Sequence, residues 1–372
     1  MAFSPFPLFS FLFRLSTIIL AAFTGKPKYT SVFLFGNSYA DTGNYVILES
    51  PVLSVITIDQ PPYGMTFFHH PTGRCSDGRL VIDFICEALG LPFLPPSLAH
   101  NASFSKGANF AVTGATALDL AFYEANNITT VPPVNSSLSV QLGWFDALKP
   151  SLCSTARQCK ELFKNALFIV GEIGGDDIIY LAAYGVSLEE IKETYVPKIV
   201  KNISMAVEKL INEGVRTVVV PGDIPTGCTP AKLTLYASPN KTDYDPRTGC
   251  LENFNHLSKY RNTKLRVEVE GLRRKYSHVR IIYADYYTPV NQFATEPAHF
   301  GFSNGAITAC CGGGGPYNFN ASAVCGLPNA TACKDPSTYV SWDGVHLTEA
   351  TNRYIATSWL YGPYAHPPIL SY

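Results

Sequence analysis

A serine, a carboxylate and a histidine of this chain have types and settings that suit acyl transfer. Ser38 follows an apolar run over residues 32–35, and Gly36 breaks that run just before it. Far along the chain, Asp343 stands three residues before His346. At this spacing both side chains can leave the same side of a turn. A nucleophile, a base and a group that orients the base are therefore available.

The element that must position Ser38 is the apolar run before it. Four residues with β-branched and aromatic members, 32–35, are typical of a buried parallel strand. Ser38 would then lie at the carboxyl edge of a sheet, where loops and helix N-termini form ligand sites. Taken alone, the segment favours a simpler interpretation, in which Ser38 caps a helix before a turn over residues 41–44.

Two more segments combine a strand with glycines and polar groups, at residues 107–114 and 171–177. Each can present polar groups at the same sheet edge as Ser38. With these blocks in place, the sequence resembles the GDSL esterase/lipase family, the plant branch of the SGNH hydrolases. The resemblance covers nearly the whole mature chain, and its blocks occur in family order at Ser38, Gly114, Asp176 and residues 343–346.

The resemblance implies a three-layer α/β/α, flavodoxin-like SGNH hydrolase fold with a five-stranded parallel sheet in the order 2-1-3-4-5. It also implies a carboxylic-ester hydrolase that needs no cofactor and no metal. Ser38 would be the nucleophile, His346 the base and Asp343 its orienting partner. The oxyanion hole would comprise Ser38, Gly114 and Asp176. The sequences of residues 72–79 and 312–320 most resemble those of the subgroup of acetylajmalan esterase and sinapine esterase.

The chain departs from the family pattern at two positions. Asn37 stands where the family has aspartate, and Asp176 stands where it has asparagine. An ionised aspartate offers only acceptors to a developing oxyanion, so this departure predicts a slow enzyme. A protonated carboxyl group can donate, however, and burial beside Asp177 would raise the pKa of Asp176. Asp176 must keep its proton to donate, which needs a low pH, whereas His346 must be neutral to act as the base, which needs a higher pH. We therefore expect a narrow pH optimum on the acidic side.

The apolar pattern independently predicts the same architecture. Strands are predicted at residues 32–35, 108–112, 166–173, 217–220 and 279–284, separated by helical stretches. Helices are predicted at residues 79–89 and 250–276 and from about residue 347 to 361. A long helix should start at the capping box of Ser187 and Glu190 and kink at Pro197. The aromatic loop at residues 60–73 is predicted to line the pocket mouth.

Length, composition and charge limit the class of protein to which this chain can belong. The chain has 372 residues, 47% hydrophobic content and a formal charge of −1, which suits one globular domain and gives no sign of nucleic-acid binding. Residues 1–25 have the character of a signal peptide, which leaves 26–372 as a single hydrolase domain. Arg14 interrupts the apolar run, so an N-terminal anchor or a shifted start is the alternative. No later stretch could span a bilayer, so we expect no stable membrane insertion after signal removal. We expect a monomer.

Glycosylation sequons and cysteines favour an oxidising, secretory setting, with the cell wall or the vacuole as destination. Near neighbours among the ten cysteines suggest that Cys153 pairs with Cys159 and Cys228 with Cys250. Cys310, Cys311, Cys325 and Cys333 would form two more bonds, which leaves Cys75 and Cys86 as the uncertain fifth pair. The seven candidate sequons are at Asn101, Asn127, Asn135, Asn202, Asn240, Asn320 and Asn329.

Three function classes fit these residues. The first is a secreted serine esterase that acts on a small plant metabolite or lipid ester. The second is an acyltransferase that uses the same acyl-enzyme, and the third is a binding protein that has lost catalysis, as Asn37 and Asp176 would allow. Acyl length and alcohol identity cannot be read from these patterns.

Overall fold

Five parallel strands alternate with helices along the chain, as the apolar runs predict. In a computed structural model that describes residues 28–130, 132 and 134–371, their order across the sheet is 2-1-3-4-5, as predicted. The predicted signal peptide lies outside the described residues. The strands are β1 (Ser31–Phe35), β2 (Gly107–Asn109), β3 (Ala166–Val170), β4 (Thr217–Pro221) and β5 (Arg280–Ala284).

Three two-residue strands complete the β structure, β6 (Cys311–Gly312), β7 (Thr331–Ala332) and β8 (Ala365–His366). Strands β6 and β7 form a small hairpin-like sheet of their own. Strand β8 pairs antiparallel with β5, so the central sheet has six strands instead of the five predicted. A two-residue edge strand is too short to show the alternation that marks a strand in a sequence.

Helices cover both faces of this sheet. The α-helices are α1 (Asn44–Glu49), α2 (Val81–Ala88), α3 (Leu120–Ala125), α4 (Leu138–Leu152), α5 (Ala156–Lys164), α6 (Gly175–Tyr184), α7 (Leu188–Glu190), α8 (Val196–Asn212), α9 (Pro230–Leu235), α10 (Glu252–Lys275), α11 (Tyr287–Thr295) and α12 (Glu349–Tyr361). Short 3₁₀ turns occur at Thr57–Asp59, Thr226–Cys228, Lys241–Asp243, Pro297–Phe300 and Pro336–Thr338. No helix within the described ranges is both long and apolar enough to cross a bilayer.

The alternation of side chains along β1 shows how the layers form. Phe33 and Phe35 point into one core, which they share with residues of α4, α8 and α10. Val32 and Leu34 point into the opposite core, with residues of α2, α11 and α12. Because successive strand side chains leave opposite faces of a sheet, apolar residues at every position require cover on both sides. The predicted three-layer α/β/α fold is confirmed.

The long helix predicted from Ser187 is divided near Pro197. The Ser187 hydroxyl accepts a hydrogen bond from the Glu190 backbone N–H at 3.2 Å and begins α7. A π-helical turn at Ile191–Tyr195 follows, and Pro197 lies in the first turn of α8. Proline has no N–H to donate to the preceding turn, so a regular helix restarts where proline is tolerated.

Four disulfides join Cys153 to Cys159, Cys228 to Cys250, Cys310 to Cys333 and Cys311 to Cys325. The predicted near-neighbour pairs are confirmed, but Cys75 and Cys86 are both free and buried. These two thiols belong to different apolar clusters. Cys86 lies on the buried face of α2, whereas Cys75 packs with Trp342 and two of the disulfides.

Thiol counting tests this pattern. Denaturation without a reductant should expose two reactive thiols, and reduction should raise the count to ten. Peptide mapping should place the two alkylated thiols at Cys75 and Cys86. A denatured, unreduced protein with no reactive thiol would contradict the separation of these two cysteines.

Candidate active site

Ser38 lies in a tight turn directly after β1, at the carboxyl end of a central strand. It is buried, with 4% of its surface exposed. The backbone N–H groups of Ala40 and Asp41 both donate to the Asn37 carbonyl at 3.1 Å, which closes the turn. Ser38 therefore lies at the carboxyl edge of the sheet, as the sequence predicted.

A buried carboxylate, Asp41, joins the Ser38 turn to the segment that follows β2. Its Oδ1 accepts the N–H groups of Gly43 and Asn44, each at 2.8 Å. Its Oδ2 accepts the Thr113 N–H at 2.8 Å. The turn over residues 41–44 is therefore real, and it fixes two loops side by side. The simpler interpretation is correct about the turn but wrong about Ser38, which caps no helix, since α1 begins at Asn44 after Gly43.

Gly114 follows Thr113 with a φ of 81°, in the left-handed region that favours glycine. Its carbonyl accepts a hydrogen bond from the Tyr180 hydroxyl at 3.3 Å. Within the part of the chain that the structure describes, the backbone N–H groups of Ser38 and Gly114 donate to no acceptor. The two backbone groups among the three predicted members of the oxyanion hole are thus available to a ligand.

Asp343 and His346 meet as their spacing predicts. Asp343 Oδ2 lies 2.7 Å from His346 Nδ1. Asp343 Oδ1 accepts the backbone N–H groups of Val345 and His346, at 2.9 and 2.8 Å. One carboxylate therefore closes the turn and holds the imidazole. This geometry leaves Nε2 as the ring nitrogen that faces other groups.

Tyr39 connects the Ser38 turn to the histidine. Its ring contacts the His346 imidazole edge to face, with 5.7 Å between centroids. Its hydroxyl donates to the Val345 carbonyl at 2.9 Å. Because Tyr39 is adjacent to Ser38, these two contacts hold the Ser38 turn beside the His346 segment, which is more than 300 residues away in the chain.

Tyr63 is a member of the site that the sequence did not reveal. Its hydroxyl donates to Asp343 Oδ2 at 2.9 Å, and its ring packs against Trp342. The loop at residues 60–73 was predicted at the pocket mouth, and this placement is wrong for Tyr63, which is buried behind the carboxylate. Nothing in the local sequence marks an aromatic hydroxyl as a partner of an aspartate 280 residues away.

Asp343 and His346 shift each other's pKa in opposite directions. Burial raises the pKa of Asp343, but the neighbouring His346 and the backbone donors outweigh it and lower that pKa to about 2. Burial lowers the pKa of His346, but the Asp343 carboxylate outweighs it and raises that pKa well above its usual value, with Cys75 acting in the same direction. The imidazole therefore holds its proton to a higher pH than a free histidine.

Asp176 lies in the first turn of α6 and contacts the residue before the serine. The Asn37 side-chain amide donates one proton to Asp176 Oδ2 at 2.8 Å and the other to Glu172 Oε2 at 2.7 Å. Burial raises the pKa of Asp176 to about 6, although the Asn37 bond and the charge of His346 oppose it. Asp177 points away and accepts the Ala117 N–H at 2.8 Å.

A buried guanidinium supports these carboxyl groups from behind. Arg261, which has no exposed surface, donates to Glu172 Oε1 at 2.6 Å and lies 3.0 Å from Asp223 Oδ2. Glu172 and Asp223 follow β3 and β4, so this cluster joins the ends of two strands. The segment at residues 171–177 includes Glu172, whereas the helix predicted at residues 250–276 did not single out Arg261.

An apolar cavity of about 220 Å³ opens beside Ser38, between α6 and α9. Its apolar walls include Ile178, Ala183, Leu235, Phe319 and Val345. We call this cavity the Ser38 pocket. Within the described ranges, no cluster of three or more His, Cys, Asp or Glu side chains is arranged to hold a metal ion.

Comparison with known proteins identifies the family. The profile of the GDSL-like lipase/acylhydrolase family matches residues 32–359. The chain belongs to this family. Two relatives from Arabidopsis thaliana, the GDSL esterase/lipases At1g28600 and At1g28570, are each 47% identical to it and align with 97% of it; the alignments cover 90% and 93% of the relatives. A third, At2g27360, is 45% identical over 96% of this chain and 91% of its own. The chain is therefore a carboxylic-ester hydrolase of the GDSL type.

The Tyr63 contact predicts a shifted pH profile. Tyr63→Phe removes a donor from the buried Asp343, so the carboxylate becomes more basic and raises the pKa of His346 further. We expect kcat/KM at neutral pH to fall about tenfold, and the acidic limb of the profile to move to higher pH. Tyr287→Phe is the matched control, because the buried Tyr287 hydroxyl has no hydrogen-bond partner among the described residues. Superimposable profiles for Tyr63→Phe and wild type would disprove the role of the hydroxyl.

Proposed function

We propose that this hydrolase is a secreted serine esterase that cleaves a carboxylic ester of a small plant metabolite or lipid through an acyl-enzyme on Ser38. The observation that carries the proposal is the contact of Tyr39 with His346. It supports the proposal because Tyr39 belongs to the Ser38 turn and Asp343 holds Nδ1 of the same imidazole. The Ser38 pocket supplies apolar space beside the same turn.

In the first half-reaction, Ser38 Oγ attacks the ester carbonyl while His346 Nε2 accepts its proton. The carbonyl oxygen becomes an oxyanion, and Asp343 stabilises the imidazolium. The C–O bond to the alcohol then breaks, and the alcohol leaves with the proton from His346. Water attacks the acyl-enzyme by the same route in reverse, which releases the acid and restores Ser38.

The Ser38 and Gly114 N–H groups would bind the oxyanion, with Asp176 as the third member only in its acid form. An ionised Asp176 would instead repel the oxyanion, and a missing donor typically costs ~10²–10³ in rate. The reaction therefore needs a protonated Asp176 and a neutral His346 together. Their pKa values are about 6 and well above the usual value for histidine, so little of the enzyme meets both conditions. The optimum should lie between the two values, which is less acidic than the sequence alone suggests.

Several observations support secretion to the cell wall or vacuole. The four disulfides suit an oxidising compartment. Six of the seven sequon asparagines are exposed. Asn202 is the exception, because its half-buried amide donates to the Ala117 carbonyl at 3.1 Å. We expect glycans on the exposed sites and none on Asn202.

Two of the function classes remain as outcomes of experiment. Acyl transfer is distinguished from hydrolysis by the ratio of products when an alcohol competes with water. Asp176 favours the third class, a catalytically impaired binding protein, if the carboxylate stays ionised. A panel of short-chain, long-chain and aromatic esters would also test the predicted nearness to acetylajmalan and sinapine esterases.

The triad assignment predicts that Ser38→Ala and His346→Ala each abolish ester turnover in a folded protein. Asp343→Asn should lower kcat by orders of magnitude as well, because an amide no longer stabilises the imidazolium. Initial rates on a reactive aryl ester, together with circular dichroism spectra, provide the check. Turnover near the wild-type rate in Ser38→Ala would refute the assignment.

Asp176→Asn tests the oxyanion hole. The asparagine keeps an oxygen for the Asn37 amide and supplies an N–H that cannot ionise. We expect kcat/KM to rise ~10-fold or more at neutral and alkaline pH, with the alkaline limb of the profile lost. Below pH 6, where Asp176 is already protonated, the two enzymes should be similar. Asp146→Asn, at a partly exposed carboxylate of α4, controls for the loss of charge. A variant that is slower at every pH would show that the carboxyl group has another, positive role.

A further inference from the structure

Lys232 is a buried cation that the esterase mechanism does not use. It lies on α9 with 7% of its surface exposed, and it lines the Ser38 pocket together with Ser38. Lysine is almost never buried without a partner, because the ammonium group loses hydration. A lysine in this position therefore needs an explanation.

The surroundings of the ammonium group are aromatic. Nζ lies 5.1 Å from the centroid of the Tyr236 ring and 4.8 Å from that of Phe254. Within the part of the chain that the structure describes, Lys232 Nζ forms no hydrogen bond or ion pair. The two ring faces stabilise the charge only in part, since a cation over a ring recovers less than an ion pair with good hydrogen bonds.

Nearby acids do not neutralise this charge directly. The carboxylates of Asp223 and Asp176 act on Lys232 from outside ion-pair distance, and they oppose the effect of burial. Asp223 is itself engaged by Arg261, and Asp176 by Asn37. Burial still lowers the pKa of Lys232 to about 8, so the side chain remains mostly protonated at neutral pH and below.

We infer that Lys232 binds an anionic group of the substrate, so that the natural ester carries a carboxylate or a similar anion on the part that enters the Ser38 pocket. This inference rests on the proposed esterase activity at Ser38 and narrows its substrate class. The apolar walls hold the carbon skeleton of that part, and the ammonium group selects its charged end. Lys232 is thus a specificity residue, with no part in proton transfer.

Matched ester pairs test the inference. On the acyl side, mono-p-nitrophenyl glutarate is compared with p-nitrophenyl pentanoate, which has the same carbon chain without the second carboxylate. On the alcohol side, p-carboxyphenyl pentanoate is compared with phenyl pentanoate. We expect the wild-type enzyme to favour the anionic member of one pair, and that pair identifies the half of the ester that occupies the pocket.

The variants are Lys232→Met, Lys232→Arg and a control, Lys264→Met. Lys264 also lies over a tyrosine ring, with Nζ 5.2 Å from the Tyr260 centroid, but it is exposed and outside the pocket. Lys232→Met should lower the anionic-to-neutral ratio of kcat/KM about tenfold, mainly through KM, because a buried charged hydrogen bond is lost. Lys232→Arg should keep part of the preference, and Lys264→Met all of it.

The outcomes separate this inference from the proposed function. If wild type hydrolyses the neutral esters but prefers neither anionic ester, the inference fails while the esterase stands. Equal losses on both members of a pair in Lys232→Met would assign the lysine a structural role and also overturn it.

If wild type hydrolyses none of the esters, the proposed function fails, and binding decides the inference. Calorimetry would then compare the same pairs with Ser38→Ala and with Ser38→Ala/Lys232→Met. An anionic ester that binds about tenfold more tightly than its neutral partner only when Lys232 is present supports the inference. Equal affinities contradict it.

Discussion

The arrangement of this site depends on one buried cation, Arg261. Its guanidinium contacts Glu172 and Asp223, the acids that follow β3 and β4. Leaving either buried acid without the guanidinium would cost several kcal/mol, which makes the two strand ends one unit. Glu172 in turn accepts an amide proton from Asn37, the residue before the serine. The position of the Ser38 turn therefore depends on this buried cluster of one guanidinium and two carboxylates.

The same cluster explains why the pKa of Asp176 is raised. Asn37 divides its two amide protons between Glu172 and Asp176, so the three side chains share one network. The guanidinium is already shared by Glu172 and Asp223, and burial then raises the pKa of Asp176 to about 6. Lys232 is a second buried cation near this cluster, and it lines the Ser38 pocket. The site thus combines an acidic group in the oxyanion hole, Asp176, with a cation in the pocket, Lys232, that can bind an anion.

Local patterns were sufficient to predict the parallel sheet and the Asp343–His346 contact, whereas the strand order followed from the resemblance to the GDSL family. The apolar runs are short and uninterrupted, and a spacing of three residues fixes the contact between two side chains on one turn. The sixth strand at Ala365–His366, the Tyr63 bond to Asp343 and the Arg261 cluster could not be predicted in this way. Each depends on groups that are far apart in sequence and meet only when the layers pack. The buried Cys75 and Cys86 show the same limit, because their count suggested a bond that their separate clusters do not allow.

Covalent trapping tests whether Ser38 is the nucleophile that His346 activates. The native enzyme is treated with a fluorophosphonate, and the adduct is mapped by peptide mass spectrometry. We expect one adduct, on Ser38, which forms much more slowly in His346→Ala. An enzyme that hydrolyses esters yet is modified at another residue, or at none, would contradict it.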